Sequence, residues 1–94
     1  MENIVIIGSG CAGLTAAIYA ARASMNPLLI CGPTPGGLIT TTGVVENFPG
    51  FPEGVEGFDL VSQMQAQAER FGAKVEFGNV EAVDLSLKPF EIKV

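Results

Sequence analysis

The run Ile4-Val5-Ile6-Ile7 stops at Gly8, and that glycine opens Gly8-Ser9-Gly10-Cys11-Ala12-Gly13. Few local patterns restrict a fold as strongly. A short unbroken run of β-branched residues, Asn3–Ile7, suits a strand buried on both faces, as in a parallel sheet. From Cys11 to about Ala23, the residues Leu14, Ala17, Ile18 and Ala21 recur at i, i+3, i+4 and i+7. That spacing predicts an amphipathic helix, and six alanines in the stretch predict close packing. Pro27 ends the helical pattern, and Leu28-Leu29-Ile30-Cys31 reads as a second buried strand. Strand, glycine turn, helix and strand together make a βαβ unit with a right-handed crossover.

Three glycines spaced GxGxxG are weak evidence alone, but here they follow a strand and open a helix, which is the context the motif requires. Each has a separate task. Gly8 permits the tight turn, Gly10 lets backbone approach a pyrophosphate, and Gly13 lets the helix lie close to the sheet. Free N–H groups at the helix start, aided by the helix dipole, would hold the diphosphate. The plainer alternative is a glycine-rich strand-to-helix turn with no ligand. An acid that would bond a ribose hydroxyl, normally about 20 residues further on, is missing: Cys31 and Gly32 stand there. A thiol is a weak hydrogen-bond former, so the ribose contact must come from backbone, water or elsewhere. A Cys11–Cys31 disulfide is conceivable but would crowd a cofactor; two small buried thiols is the plainer reading.

Gly32 to Gly57 holds seven Gly and four Pro, with too few apolar repeats for regular structure. A loop this long in a compact domain points to function or disorder, and Leu38, Ile39, Val44, Val45, Phe48 and Phe51 are not linker residues. Asp59 to Phe71 reads as a second helix with Leu60, Val61, Met64, Ala68 and Phe71 on its apolar face. Gly72 follows as its C′ residue. Strands are expected at Lys74–Phe77, Val80–Leu85 and Phe90–Val94, the last two joined by a Ser86–Pro89 turn. The expected fold class is α/β, a Rossmann-like βαβ with a parallel sheet, in a partial domain ending in a β-hairpin.

Composition narrows the partners. Of 94 residues, 48% are hydrophobic and only 16% charged, against about 25% charged in an ordinary domain. So apolar a chain of this length suggests a piece of a larger core. The net charge is -5, and residues 1–45 contribute only Glu2 and Arg22 to it. With no basic cluster, nucleic acid and anionic lipid are poor partners. The absence of His removes imidazole catalysis and His-based metal sites. Cys11 and Cys31 match neither a zinc pattern nor a CxxC motif. Asn3 to Ala21 is uncharged, yet Glu2 precedes it and Gly8, Gly10 and Gly13 crowd its middle, which argues against an export or membrane segment. A soluble, cytoplasmic protein is expected.

Further motifs stand in order at close spacing: Gly36-Gly37-Leu38-Ile39-Thr40-Thr41-Thr42, Val45-Glu46-Asn47-Phe48-Pro49-Gly50-Phe51-Pro52-Glu53-Gly54, Gln67-Ala68-Glu69-Arg70-Phe71-Gly72-Ala73, and Val83-Asp84-Leu85-Ser86 with Pro89-Phe90. With Ile6–Gly10 and Thr15–Ala23, they closely resemble the N-terminal FAD-binding part of low-molecular-weight thioredoxin reductases, over essentially the whole chain. The resemblance implies that Ser9, Gly10, Cys11 and Ala12, between Gly8 and Gly13, line the FAD diphosphate. It implies that Cys31 to Gly37, including Gly32, Gly36 and Gly37, cover the adenosine and diphosphate side. Leu38 and Asn47 would sit near the flavin and ribityl chain, and Val80 would offer backbone to the adenine. A side-chain amide such as Asn47 can also both donate to and accept from a flavin edge, although a loop Asn often bonds its own backbone instead. Two positions depart from the family, which usually has Gln at Leu38 and Pro at Cys11.

In that family, electrons pass from NADPH to FAD, then to a CxxC disulfide, then to thioredoxin, within a homodimer. The resemblance therefore implies FAD in residues 1–94, as the N-terminal part of an FAD-binding domain. The NADPH-binding domain and the CxxC are expected outside these residues, so the 94-residue chain alone is expected to be inactive. Two alternatives stay open: the FAD-binding part of a CxxC-less relative such as ferredoxin-NADP reductase, and a non-catalytic, truncated nucleotide-binding module.

Overall fold

The computed structural model describes residues 3–32, 43–86 and 91–94. The elements are β1 (Val5–Ile7), α1 (Cys11–Arg22), β2 (Leu28–Cys31), β3 (Val44–Val45), β4 (Val55–Glu56), α2 (Gly57–Arg70), β5 (Lys74–Phe77), β6 (Ala82–Asp84) and β7 (Glu91–Lys93). The fold is α/β. Three strands form a parallel sheet in the order β1-β2-β5. Val5 pairs with Leu28 and Ile7 with Ile30; on the other side of β2, Leu28 pairs with Lys74 and Cys31 with Phe77. Because all three strands run the same way, their carboxyl ends share one edge. That edge is where open α/β sheets bind ligands.

The helices supply the core on one face of this sheet. Leu14, Ala17 and Ala21 of α1 and Leu60, Val61, Met64 and Ala68 of α2 are buried with Leu29 and Cys31 of β2. These are the apolar stripes expected from the sequence, with Ile18 and Phe71 half-buried beside them. Leu14, Leu29 and Leu60 are fully buried, and each contributes about 1.5–3 kcal/mol through that burial. Small alanines on α1 let α2 lie close against it.

Three details differ from the sequence-based expectation. β1 is an edge strand rather than one buried on both faces, and Ile7 is 52% exposed, because among the described residues only β2 pairs with it. The 32–57 stretch is not wholly irregular: β3 and β4 pair antiparallel, Val45 opposite Val55, and the Gly57 amide donates to the Gly43 carbonyl at 2.8 Å. Two residues per strand are too few to leave a periodic signal. The last strands are shorter than expected, although β6 and β7 do form an antiparallel hairpin. Residues 87–90 of its turn lie outside the described residues. At the start of that turn, Asp84 accepts bonds from the Ser86 hydroxyl (2.6 Å) and amide (2.9 Å), which hold its carboxyl below its ordinary pKa.

Both helices end in the same motif, and one of them does so under strain. After α2, the Gly72 amide donates to the Glu69 carbonyl and the Ala73 amide to the Ala68 carbonyl, with Gly72 at φ +108°. After α1, the Ser24 amide donates to Ala21 and the Met25 amide to Ala20, with Ser24 at φ +61°. This is the Schellman closure, which favours glycine at the left-handed position. A left-handed non-glycine residue costs roughly 1–2 kcal/mol, and glycine's freedom in the unfolded chain returns about half of that. Ser24→Gly is therefore expected to stabilise the chain by about 0.5–1 kcal/mol, read as a higher urea midpoint at unchanged slope.

Candidate functional site

The carboxyl edge of the sheet is assembled from three separate segments. β1 delivers Gly8, whose amide donates to the Ile30 carbonyl at 2.9 Å, and so fixes the turn against β2. Gly8 has φ +104°, and the chain reverses there into α1. Gly10 is the helix N-cap, in extended backbone with no side chain to cap it. The first intrahelical bond runs from the Leu14 amide to the Gly10 carbonyl, 2.9 Å. The amides of Cys11, Ala12 and Gly13 thus have no intrahelical acceptor. No acidic residue lies in that first turn to compete for them.

Gly13 allows the helix to sit where it does. A Cβ on Gly13 would overlap the Gly8 carbonyl oxygen and lie 3.4 Å from Ile6 Cγ2. The close approach keeps the helix start directly over the strand end, so the three N–H groups without an intrahelical acceptor and the positive end of the dipole face one place. Such an arrangement binds phosphate. The donor set therefore fits the diphosphate of a dinucleotide, and it relies on backbone alone.

The other sequence-predicted positions are not all brought together. Ser9 is buried at 4% exposure, Cys11 is half-buried and Ala12 is exposed at the helix start. Gly32 leaves β2 half-buried, and among the described residues a Cβ there would meet no atom within 4 Å. Val80, half-buried, lies three residues beyond β5, where the Gly78 amide already donates to the Cys31 carbonyl at 2.9 Å. Cys31 itself is fully buried in the helix–sheet core, so its thiol does not face the edge. Asn47 is exposed in the segment after β3. Gly36, Gly37 and Leu38 lie outside the described residues. Both cysteines are free thiols. Among the described residues no cluster of three or more metal-ligating side chains exists, and no helix is long and apolar enough to cross a membrane.

Residues 2–93 match the family model for pyridine nucleotide-disulphide oxidoreductases. The chain belongs to that family. Its sequence is 58% identical over 90 residues to thioredoxin reductase of Rickettsia bellii, covering 96% of this chain but 29% of that protein. It is 50% identical over 97 residues to NADPH-dependent thioredoxin reductase 3 of Arabidopsis thaliana, covering 99% of this chain and 18% of the relative. Among solved structures, thioredoxin reductase from Giardia duodenalis superposes with a TM-score of 0.89 at 41% identity, over 96% of this chain and 29% of that one. The chain thus spans less than a third of the length of these relatives. Within the pyridine nucleotide-disulphide oxidoreductases it is similar to a part of thioredoxin reductases.

The resemblance places Pro where this member of the family has Cys11, and the geometry shows what that exchange does. Cys11 is the first residue of α1, where a missing N–H costs no helix bond and proline's fixed φ suits the helix. The preceding Gly10, at φ -71° and ψ -179°, already has the extended backbone that a following proline demands. Cys11→Pro is therefore expected to stabilise the chain by about 0.4–1 kcal/mol, chiefly by restricting the unfolded state. Thermal unfolding followed by circular dichroism would check it; a lower midpoint would mean that the Cys11 amide or thiol holds a contact proline cannot replace.

Proposed function

We propose that residues 1–94 form the FAD-binding part of a thioredoxin-disulfide reductase, with the diphosphate lined by Cys11 and seated on the amides of Ala12 and Gly13. The observation that carries this reading is the helix start held over the end of β1 by the Gly13–Gly8 approach, with no acid beside it. Ser9 and Gly10 would flank the diphosphate, Gly32 with Gly36 and Gly37 would cover the adenosine side, and Val80 would offer backbone to the adenine. Leu38 and Asn47 would meet the flavin and ribityl chain, Leu38 through apolar contact only.

Bound FAD would supply the two-electron carrier between a nicotinamide and a disulfide. The protein's part here is to bind and orient that carrier through neutral backbone donors. The sequence holds Cys11 and Cys31 and no closely spaced cysteine pair, so both the redox-active disulfide and the NADPH site would come from a segment outside these residues. Thioredoxin would be the electron acceptor of the whole enzyme, a homodimer in the cytoplasm, a setting that the two free thiols fit.

A chimera tests this. Residues 1–94 take the place of the matching segment in the Rickettsia bellii relative, and the product is assayed for bound flavin and for NADPH-dependent reduction of thioredoxin. A yellow protein that turns over thioredoxin is expected. A folded but colourless chimera would refute the FAD role, and one that holds flavin yet leaves thioredoxin oxidised would refute the thioredoxin assignment.

A further inference from the structure

On the helical side of the fold, a groove of about 340 Å³ lies between α1 and α2 and is also lined by Phe48 and Phe51. Its volume falls at the lower end of the range for small-molecule clefts, roughly 300–1,000 Å³. None of the glycines at the carboxyl edge lines it. Ile18, Leu60 and Met64 contribute apolar surface. Phe48 and Phe51 form an aromatic wall, their centroids 6.2 Å apart and their rings tilted by 53°. The polar groups are Thr15, whose hydroxyl donates to the Cys11 carbonyl at 2.6 Å, Tyr19, Gln63 and Gln67, the two glutamines one helical turn apart, and Arg22.

Arg22 gives the groove its chemistry. Its guanidinium carbon lies 5.5 Å from the centroid of the Phe71 ring, so the planar cation is held over an aromatic face. Among the described residues the ion pairs are Lys74–Glu76 and Lys93–Glu81, and neither involves Arg22. A chain of net charge -5 thus places a guanidinium without a carboxylate at a groove that no acidic side chain lines. A guanidinium fork matches a carboxylate with two parallel bonds. Arg70, whose guanidinium carbon lies 5.2 Å from the centroid of the same Phe71 ring, adds positive charge beside the groove, so an anion suits it, and the aromatic wall suits a flat, apolar body behind that anion.

We propose that this groove binds a small planar aromatic carboxylate, its ring against Phe48 and Phe51 and its carboxylate on Arg22. The site is separate from the nucleotide cradle and stands whether or not the chain binds FAD.

The test uses the 94-residue chain, 2-naphthoate as probe and 2-naphthylmethanol as its uncharged counterpart, followed by amide chemical shifts in a titration. Naphthoate is expected to saturate below about 1 mM, with shifts concentrated at 15–22, 48–51 and 63–71. The alcohol is expected to bind about tenfold more weakly, the loss of one charge-assisted contact. Arg22→Met, which keeps an apolar stem over Phe71, should weaken naphthoate by the same factor. Gln63→Trp, at an exposed position, should fill the groove and abolish the shifts without unfolding the chain. Equal binding of acid and alcohol, undiminished binding to Arg22→Met or Gln63→Trp, shifts confined to other surfaces, or no shifts at millimolar probe would each overturn the proposal.

Discussion

Gly13→Val is expected to cost the chain most of its stability, about 3 kcal/mol or more, and to leave it largely unfolded in mild urea. A Cβ at this position would overlap the Gly8 carbonyl oxygen and stand 3.1 Å from the carbonyl carbon, and both atoms are backbone. Neither can swing aside as a flexible side chain could. The Gly8 amide is also tied to the Ile30 carbonyl, so the turn cannot yield without breaking the β1–β2 junction. Relief would come only from lifting α1 off the sheet, which would loosen Leu14, Ala17 and Ala21 in the core. Overpacking usually costs about 1–3 kcal/mol where neighbours can move, and here they cannot. Domains of this size have little stability to lose. Urea unfolding followed by circular dichroism measures the effect; a midpoint near that of the parent would show that α1 is not held so close to β1.

Gly10→Glu, placed in the chimera with the Rickettsia bellii relative, is expected to give a folded protein that purifies without flavin. The backbone of Gly10, φ -71° and ψ -179°, is open to any residue, so glycine is not required there for conformation. Under the proposed FAD role, what glycine leaves is the place of a side chain beside the first-turn amides of α1. A glutamate side chain would occupy that place, and its carboxylate would take the favourable position at the positive helix end that a diphosphate needs. Like-charge repulsion in a site of low dielectric would add to the exclusion. The readouts separate the two roles of the loop: circular dichroism and the unfolding midpoint stay near those of the parent, while flavin absorbance after desalting disappears. A folded variant with full flavin content would show that the diphosphate lies elsewhere.

The two substitutions divide one motif by physical cause. Gly13 is needed by the fold, since the helix cannot approach the strand with a side chain between them. Gly10, under the proposed FAD role, is needed by the ligand. GxGxxG spacing signals both requirements together, and the backbone angles and Cβ contacts tell them apart.

What was legible in the sequence is what local periodicity and chain chemistry control. The apolar run ending at Gly8, the 3.6-residue stripe of α1, Pro27 before β2, and the stripe of α2 closed by Gly72 all appear where expected. Each depends on neighbours within a few residues. Similarity to thioredoxin reductases was legible for a different reason, because the Glu46–Gly54 stretch has no generic structural cause to recur. Ser24, by contrast, performs the same task as Gly72 without glycine's signature. Its left-handed conformation is imposed by the bonds of the Schellman closure.

Tertiary structure decided the matters that depend on residues far apart in the chain. β5 pairs with β2 in a parallel register across more than forty residues, and only that pairing brings Gly78 and the approach to Val80 beside the end of β2. The same register, with successive side chains alternating between faces, turns the Cys31 thiol into the core and away from the edge. Burial of Val45 and the Gly43–Gly57 bond created the short β3–β4 pair inside a glycine-rich stretch. Packing of α1 on α2 left Arg22 over Phe71 at the mouth of a groove. The sequence alone determined both helices, the strands of the parallel sheet and where a diphosphate could be cradled, because turns, periodicity and helix ends are local physics. Which strands became neighbours, and which way each side chain faced, waited on the collapsed structure, where burial and register are settled together.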